Sequence, residues 1–350
     1  MSRKTTVSIE RDMFYINGRP TYPGRYWKGL KIEGLLMNSR MVQATFDDKN
    51  PDTRHQWAYS DTGVWDPDRN AREFVEQLPV YRRHGLLAAT VNFQGGNPRG
   101  YGKDHPWINT AFEPDGSLDA AYLARMEKII ERADELGMAV ILGYYYFGQD
   151  KRLTDDEAIQ RGAINATDWV CRKGFTNVLI ETNNEANVGY AQHPILKPQR
   201  VDEIIRLVQQ RSTGKLSTPA GRLLASTSLG GGHVPEDNIV AAADFLLVHG
   251  NSQTPDKIHR LVRKSRQQPG YRGQPVVNNE DDHFDFDQDT CNFIASLEEY
   301  CSWGYFDYRV EGDGPSDGYQ SVPVDWTINA PRKKAFFELL AKVTGSDGRA

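Results

Sequence analysis

Cysteine is scarce in this chain, and its placement excludes two ways of stabilising a fold. Only Cys171, Cys291 and Cys301 occur among the 350 residues. An odd number of widely spaced cysteines fits neither a disulfide framework nor the short ligand spacing of a zinc site. We therefore expect three reduced and mostly buried thiols.

Long apolar runs and an excess of positive charge are missing as well. No uninterrupted apolar segment approaches the ~20 residues that span a bilayer, so we expect no membrane partner. The formal net charge is −5 and no basic stripe alternates with aromatic residues, which argues against nucleic acid as a partner.

Residues 1–6 lack the apolar segment of a signal peptide. This favours a cytoplasmic location, or a secreted or periplasmic one if a leader has been removed.

The residues that are present are typical of a soluble globular protein. Hydrophobic residues make up 39% of the chain and charged residues 25%, which suits a sizeable core beneath a polar surface. No Pro- or Ser-rich linker, shift in composition or short repeat divides the sequence. We therefore expect residues 1–350 to form a single domain.

A predicted β-hairpin precedes an alternation of strands and helices. Two short β-prone runs flank Asn17-Gly18, the strongest short hairpin signal, so residues 1–30 are expected to form an N-terminal hairpin extension. Apolar runs predict strands at 32–37, 86–91, 138–142, 178–180, 223–225, 245–248, 275–277 and 303–308. Helical spacing predicts helices at 118–133, 155–171, 201–208, 255–264, 290–300 and 332–343.

The number of these units predicts the fold class. Eight β-units separated by helices or long loops are what a closed parallel barrel requires, so we predict an α/β fold, the (β/α)8 TIM barrel. Gly85, Gly137 and Gly174 each lie between a helical stretch and a strand, as left-handed helix ends prefer. An open doubly wound sheet is the alternative, but no glycine-rich phosphate turn follows the first strand.

Two of the predicted strands end in a glutamate that follows an asparagine. Residues 178–187 read VLIETNNEAN and residues 275–282 read PVVNNEDD. In a barrel these strand ends meet at one rim, the face that carries active sites. Cleavage of a glycosidic bond requires two carboxyl groups that flank the bond. Glu185 and Glu280 are therefore the candidate catalytic pair, whereas Glu181, inside its strand, is expected to form an ion pair within the barrel.

On these residues the sequence resembles the clan A, cellulase-like retaining glycoside hydrolases, in strand order from about residue 32 to 343. In that family the acid/base glutamate follows strand four and the nucleophile follows strand seven. The resemblance implies that Glu185 is the acid/base, Glu280 the nucleophile, and Asn184 the residue that holds the sugar 2-hydroxyl. It implies a β-linked glycoside or oligosaccharide as substrate, with no metal and no organic cofactor. The family commonly continues its Asn-Glu with proline, and Ala186 stands there instead.

Other residues near the predicted rim are candidates for supporting roles. Arg40 is expected to orient Glu280 and keep it ionised, because a nearby cation lowers a carboxylate pKa. His249 is expected to contact the nucleophile or a sugar hydroxyl. The residues expected to line sugar subsites are Asn92, His105, Trp107 and Tyr144. A surface arginine and a satisfied buried histidine remain the alternatives for Arg40 and His249.

Two further classes of function compete with this interpretation. A metal-dependent sugar isomerase would bind a divalent ion through Glu185, Glu280, Asp282 and His283. A carbohydrate-binding barrel without catalysis is the other.

The long segments 47–68 and 95–116 have the length to close a pocket, which favours exo action or short oligosaccharides. The pattern leaves the sugar, the linkage, the choice between exo and endo action and the oligomeric state open.

Overall fold

The computed structural model describes residues 3–102, 104–189, 191–310, 312–314 and 317–346. Two small antiparallel sheets come first, and their strands are β1 (Val7–Glu10), β2 (Met13–Ile16), β3 (Arg19–Pro20), β4 (Tyr26–Trp27) and β5 (Leu30–Lys31). Asn17 and Gly18 form the turn between β2 and β3 with φ angles of 53° and 74°. Positive φ at both positions suits the right-handed twist of a hairpin. The predicted hairpin is confirmed, and residues 1 and 2 of the predicted extension lie outside the described residues.

The central sheet consists of eight parallel strands. They are β6 (Asn38–Arg40), β7 (Ala88–Asn92), β8 (Ala139–Tyr146), β9 (Val178–Asn184), β10 (Leu224–Ser226), β11 (Leu246–His249), β12 (Val276–Asp281) and β13 (Ser302–Tyr305). Each strand pairs with its neighbour in the chain except β10 with β11, and the last strand pairs with the first. The predicted (β/α)8 barrel is therefore confirmed.

The helices surround this sheet. They are α1 (Pro51–Arg54), α2 (Pro67–Arg83), α3 (Ala120–Glu135), α4 (Asp156–Lys173), α5 (Val201–Ser212), α6 (Asp237–Ala242), α7 (Pro255–Arg266), α8 (Asn292–Glu298) and α9 (Pro331–Thr344). The sequence prediction placed a helical stretch before Gly85 but gave α2 no bounds, although Asp66 caps it through the Arg69 N–H and Pro67 occupies its first turn. No helix within the described ranges has the length and apolar character that crossing a membrane requires.

The first barrel strand corrects the prediction of a strand at 32–37. The ladder begins only at Asn38, and residues 35–37 approach it as buried irregular chain. Hydrogen bonds hold this approach in place: the Leu36 N–H donates to Ser302 Oγ over 2.8 Å, and the Leu87 N–H donates to the Met37 carbonyl over 3.1 Å. The hydrophobicity of residues 32–37 indicated that this segment is buried. It could not show where strand pairing begins, because pairing depends on residues distant in sequence.

In the described part of the chain, three buried apolar clusters pack the barrel, and the smallest of them lies between β11, β12 and the helices α6 to α8. The inner layer closes the amino end of the strands and consists of Val7, Phe14, Leu36, Leu87, Ala88, Ala139, Ile141, Leu179, Leu224, Phe245, Leu247 and Val277. A larger layer lies mainly between the strands and the helices. The terminal hairpin contributes Val7 and Phe14, so it plugs the barrel at the end opposite the predicted catalytic rim.

Candidate active site

The two candidate carboxylates meet at the carboxyl end of the barrel. Glu185 directly follows β9, and Glu280 lies in β12. One oxygen of each carboxylate and one imidazole nitrogen of His249 lie within 4.8 Å of one another. The structure therefore brings together residues from the ends of the fourth, sixth and seventh barrel strands.

Glu280 is held on both of its oxygens. The Arg40 Nε lies 2.6 Å from Oε2, and the Asn251 amide donates to Oε1 over 2.7 Å. Burial raises the pKa of Glu280 above its ordinary value, although the charges of Arg40 and His249 oppose this rise. The predicted contact from Arg40 is present and favours the ionised form, but burial outweighs it. The raised pKa corrects the expectation that Arg40 keeps Glu280 ionised.

Arg40 forms the centre of the buried charge network. Its Nη1 lies 3.1 Å from Glu181 Oε2, and its Nη2 donates to the Asn184 Oδ1. Burial acts to raise the pKa of Glu181, but the charges of Arg40 and His249 lower it below its ordinary value. Glu181 is therefore the ionised partner of Arg40 within the barrel, as its position inside the strand predicted. The same guanidinium fixes Asn184 beside the candidate acid/base.

His249 lies between the two candidate catalytic groups. Its Nδ1 is 2.9 Å from Glu185 Oε1 and 3.6 Å from Glu280 Oε2. Burial acts to lower the pKa of His249, but the charges of Glu280 and Glu185 outweigh it and raise the pKa above its ordinary value. His249 thus supplies a proton donor at the point where the two carboxylates approach each other.

The backbone at Glu185 leaves the strand through a strained turn. Glu185 has a φ angle of 50°, in the left-handed region that non-glycine residues seldom adopt. Its N–H donates to Ser228 Oγ, and the next N–H, that of Ala186, donates to the Ser228 carbonyl, both over 3.0 Å. Such strain persists where surrounding contacts fix it, and it concentrates at functional sites.

A narrow pocket opens onto the carboxylates. Its lining includes Glu185 and Glu280 together with the rings of Tyr101, Tyr146, Phe147 and Phe306. The enclosed volume is about 40 Å³, although a larger groove of about 690 Å³ lies on the surface between α2 and residues 323–327. None of the candidate catalytic residues lines the larger groove. The size of a pocket therefore does not identify the candidate site. The two carboxylates in the lining of the smaller pocket do.

The structure corrects the placement of Tyr144 and Trp107. Tyr144 shares the outer face of β8 with Val140 and Leu142, and its hydroxyl lies 3.2 Å from Thr167 Oγ1 on α4. Tyr144 therefore packs against a helix and does not reach the mouth. Trp107 packs edge to face on Trp57, with ring centroids 6.0 Å apart, in the apolar core. Neither residue lines the pocket.

Asn92 and His105 lie near the site but behind its lining. Asn92 is fully buried in the barrel interior, where a side chain at Gly143 would collide with its amide. The His105 ring lies 6.2 Å from the ring of Tyr146 and 5.9 Å from that of Phe147. Burial lowers the pKa of His105 to about 4, so the ring is neutral at pH 7. Neither residue lines the pocket, and the His105 ring packs behind the aromatic side chains that do.

Three contributors to the site escaped the sequence prediction. Asn251 binds Glu280, Tyr146 lines the pocket, and Ser228 fixes the turn at Glu185. Asn251 and Tyr146 belong to the polar strand ends 249–251 and 144–146, which marked the rim without showing which side chain faces inward. Ser228 lies after β10 in an ordinary Thr-Ser-Leu segment and gave no signal.

The four proposed metal ligands do not assemble into one site. Within the described residues, Glu185 and Glu280 group with His249, whereas Asp282 and His283 group with Asp281. Burial acts to lower the pKa of His283, but hydrogen bonds to Asp281 and Asp282 raise it to about 10. The division into two groups corrects the metal-site alternative for the set Glu185, Glu280, Asp282 and His283.

Comparison with known proteins addresses the fold. No protein-family model matches the sequence, and no curated protein matches it significantly. Among solved structures, the endo-1,4-β-mannanase of Rhizomucor miehei superposes with a TM-score of 0.59 at 11% identity, over 97% of this chain and 99% of that chain. A xyloglucan-specific endo-β-1,4-glucanase of glycoside hydrolase family 5, from a metagenomic library, gives a TM-score of 0.56 at 11% identity over 89% and 96%.

A third structure extends well beyond the present chain. A candidate glycoside hydrolase from Bacteroides vulgatus superposes with a TM-score of 0.58 at 13% identity over 95% of this chain, which spans 59% of that chain's length. Identities this low establish the three-dimensional arrangement and leave the chemistry to the residues of the site. The chain therefore has the (β/α)8 barrel fold found in structures of clan A glycoside hydrolases, including family 5.

Proposed function

We propose that this protein is a retaining glycoside hydrolase that cleaves β-linked sugars with Glu185 and Glu280. The observation that carries the proposal is the approach of the two carboxylates to within 4.8 Å at the mouth of the barrel. Retaining glycosidases place their carboxyl groups about 5–5.5 Å apart, whereas inverting enzymes leave about 6.5–9.5 Å for a water molecule. The spacing here favours direct attack by one carboxylate on the sugar.

In the first step Glu280 acts as the nucleophile. One of its carboxylate oxygens attacks the anomeric carbon while Glu185 gives its proton to the glycosidic oxygen, and the carbon–oxygen bond to the leaving group breaks. The aglycone departs as an alcohol, and the sugar remains as an ester of Glu280. Arg40 and Asn251 hold the two Glu280 oxygens, so the attacking group is fixed before the substrate arrives.

In the second step water releases the sugar. Glu185, now ionised, takes a proton from water, the oxygen of that water attacks the anomeric carbon, and the ester bond to Glu280 breaks. Two displacements at the same carbon retain its configuration. His249 and Glu185 form a close pair; burial acts to lower the pKa of His249, the negative charge of free Glu280 raises it, and esterification removes that charge. The same pair can therefore act first as acid and then as base.

The proposed partner is a glycoside or oligosaccharide. The mannanase and the xyloglucan-specific glucanase with similar folds are named for β-linked polysaccharides, and the glucanase structure is a complex with cellotriose. Asn184 is proposed to hold the sugar 2-hydroxyl, since Arg40 already binds its Oδ1 and leaves its buried Nδ2 without a partner in the described structure. We propose that residues 1–350 act as one catalytic domain and that the reaction uses no metal or organic cofactor.

The test is hydrolysis of aryl β-glycosides and β-1,4-linked oligosaccharides by the wild type, Glu185→Gln and Glu280→Gln. Both variants should lose activity by ~10³-fold or more, and product anomers followed by NMR should retain their configuration. Glu299→Gln is a matched control, because Glu299 is largely buried but pairs with His259 and Arg263 away from the mouth.

Three outcomes would overturn the proposed function. Activity that EDTA abolishes would favour metal chemistry, and activity untouched by both substitutions would remove these residues from catalysis. Sugar binding without turnover on the whole panel would instead support the non-catalytic carbohydrate-binding barrel.

A further inference from the structure

A short loop crosses the mouth of the barrel directly above the nucleophile. Residues 95–102, hereafter the strap, follow β7 and are tied down along their length. Gln43 donates to the Asn97 carbonyl over 3.0 Å, and the Val322 N–H donates to the Pro98 carbonyl over 2.9 Å. Arg99 forms an antiparallel bridge with Ser321. The strap thus passes from the second barrel strand over the loops that follow the first and the eighth.

Tyr101 anchors the far end of the strap beside the nucleophile strand. Its hydroxyl donates to Asp282 Oδ2 over 2.7 Å, two residues beyond Glu280. Its ring lies 5.8 Å from the ring of Phe306 and 4.9 Å from that of Tyr308. The strap therefore spans the side of the mouth formed by strands two, one, eight and seven.

Glycines allow the strap to lie close to the pocket wall. A side chain at Gly96 would meet the Tyr146 hydroxyl at 2.7 Å, and one at Gly102 would meet the Asn97 amide at 2.2 Å. Gly96, Gly102 and Tyr101 all line the pocket together with Glu185 and Glu280. The roof of the pocket is therefore built from backbone and one aromatic ring.

The two carboxylates differ in their exposure beneath the strap. The Glu280 side chain is 5% exposed, whereas the Glu185 side chain is 13% exposed. In the proposed reaction the sugar that becomes bonded to Glu280 lies on the covered side, and the leaving group lies beside Glu185. The Glu280 side is therefore the more enclosed one, and the leaving-group side is the more open one.

We infer that the strap limits the covered side to one terminal sugar, with Tyr101 as the specificity-determining residue; this rests on the proposed function. The enzyme then removes single sugars from the ends of glycosides and short oligosaccharides. The enclosed 40 Å³ is far below the roughly 300–1,000 Å³ of ligand pockets, so entry of a sugar requires the strap to shift. A shift of the Tyr101 end of the strap breaks its hydrogen bond to Asp282.

The experiment compares aryl β-monoglycosides with aryl β-1,4-disaccharides of glucose, mannose, galactose and xylose. The wild type should first release a monosaccharide from the disaccharide and leave the aryl monoglycoside. Tyr101→Ala should gain direct release of the intact disaccharide by ~10-fold or more relative to its activity on the monoglycoside, the scale on which a lost steric contact changes specificity. Tyr101→Phe keeps the ring and loses the hydroxyl, so it should keep the wild-type products.

Tyr26→Ala is the matched control, because Tyr26 is 59% exposed on the N-terminal hairpin side and Tyr101 is 55% exposed. It should change neither products nor rates, and thermal unfolding of all variants checks that each is folded. Intact disaccharide released by the wild type, or an unchanged product pattern in Tyr101→Ala, would overturn this inference alone. Absence of hydrolysis of every substrate would instead remove the proposed function, and this inference with it.

Discussion

The two ends of the barrel are built from the same strands and differ in almost every physical property. At the amino end, Phe14 of the terminal hairpin packs on Phe245 with ring centroids 6.2 Å apart, inside an apolar plug. At the carboxyl end, Arg40, Glu181 and Glu280 are all buried. The Arg40 guanidinium lies 3.1 Å from the Glu181 carboxylate and 2.6 Å from the Glu280 carboxylate. Apolar burial is favourable without specific partners, whereas buried charge is tolerated only when it is paired.

The comparison indicates how the molecule divides its tasks. The apolar end stabilises the fold. The charged end holds buried ionisable side chains, which would cost free energy without their partners but are available for a reaction. If this division is correct, substitutions at the charged end should change activity and pH dependence, and those at the apolar end should change only the free energy of unfolding.

The largest effect is expected at Arg40, because substitution there should lower both stability and activity. Arg40→Met should lower the free energy of unfolding by about 3–5 kcal/mol, because it leaves Glu181 and Glu280 buried without their cation. Activity should fall with it, since Glu280 loses the group that favours its ionised form. Urea unfolding and kcat/KM measure the two effects. Arg211→Met, which removes an exposed pair with Asp168, is the control and should cost about 1 kcal/mol or less.

A comparable loss of stability without loss of chemistry is expected at the opposite end. Phe14→Ala should cost about 3–5 kcal/mol by opening a cavity in the apolar plug, while kcat/KM of the folded enzyme stays unchanged. Phe14→Leu, which keeps most of the volume, should cost less than about 1.5 kcal/mol. A large fall in kcat for folded Phe14→Ala would show that the two ends are coupled.

A smaller effect confined to activity is expected at Asn251. Asn251→Ala removes a hydrogen bond to a charged group, worth about 1.5–3 kcal/mol, so kcat should fall roughly 10–100-fold. That hydrogen bond lowers the pKa of Glu280, so its loss should move the acid limb of the rate profile to higher pH. Asn238→Ala, at a side chain bound to Asp202 away from the mouth, should leave the profile in place. An unshifted acid limb in Asn251→Ala would argue against a positioning role.

A further effect is a pH-dependent contribution to stability from His283. Its pKa is raised to about 10 in the folded protein, so the folded state binds the proton more tightly than the unfolded state. The stabilisation is fully present below the unfolded value of about 6.5 and disappears as the pH rises through 10. His283→Gln should therefore be less stable than the wild type at pH 6, and the gap should close by pH 10 in urea titrations. The gap for Phe14→Ala should stay constant with pH, because no titrating group is removed.

Residue type and strand position predicted much of this site. Glu185, Glu280, Asn184, Arg40 and His249 were identified from polar residues at or just beyond strand ends, and the barrel brings all five together. This worked because the carboxyl ends of parallel strands share one rim, so order along the chain translates into position in space.

The predictions that failed depended on where a side chain points. Tyr144 and Tyr146 are two residues apart on the same strand end, yet only Tyr146 lines the pocket. Trp107 follows a loop whose path carries it into the core against Trp57. A run of aromatic residues marks the rim in the sequence, but the direction of each ring is set by packing against helices and loops.

By itself the sequence determined the alternation of strands and helices, the hairpin at Asn17-Gly18 and the two Asn-Glu strand ends, because these features depend on local periodicity and on the chemistry of single residues. Only the tertiary structure decided that Arg40 serves Glu181, Asn184 and Glu280 at once, that burial dominates the pKa of Glu280, and that Tyr101 closes the mouth against Asp282. Coulomb energy, burial and steric closure depend on distances between residues far apart in the chain, and folding alone sets those distances.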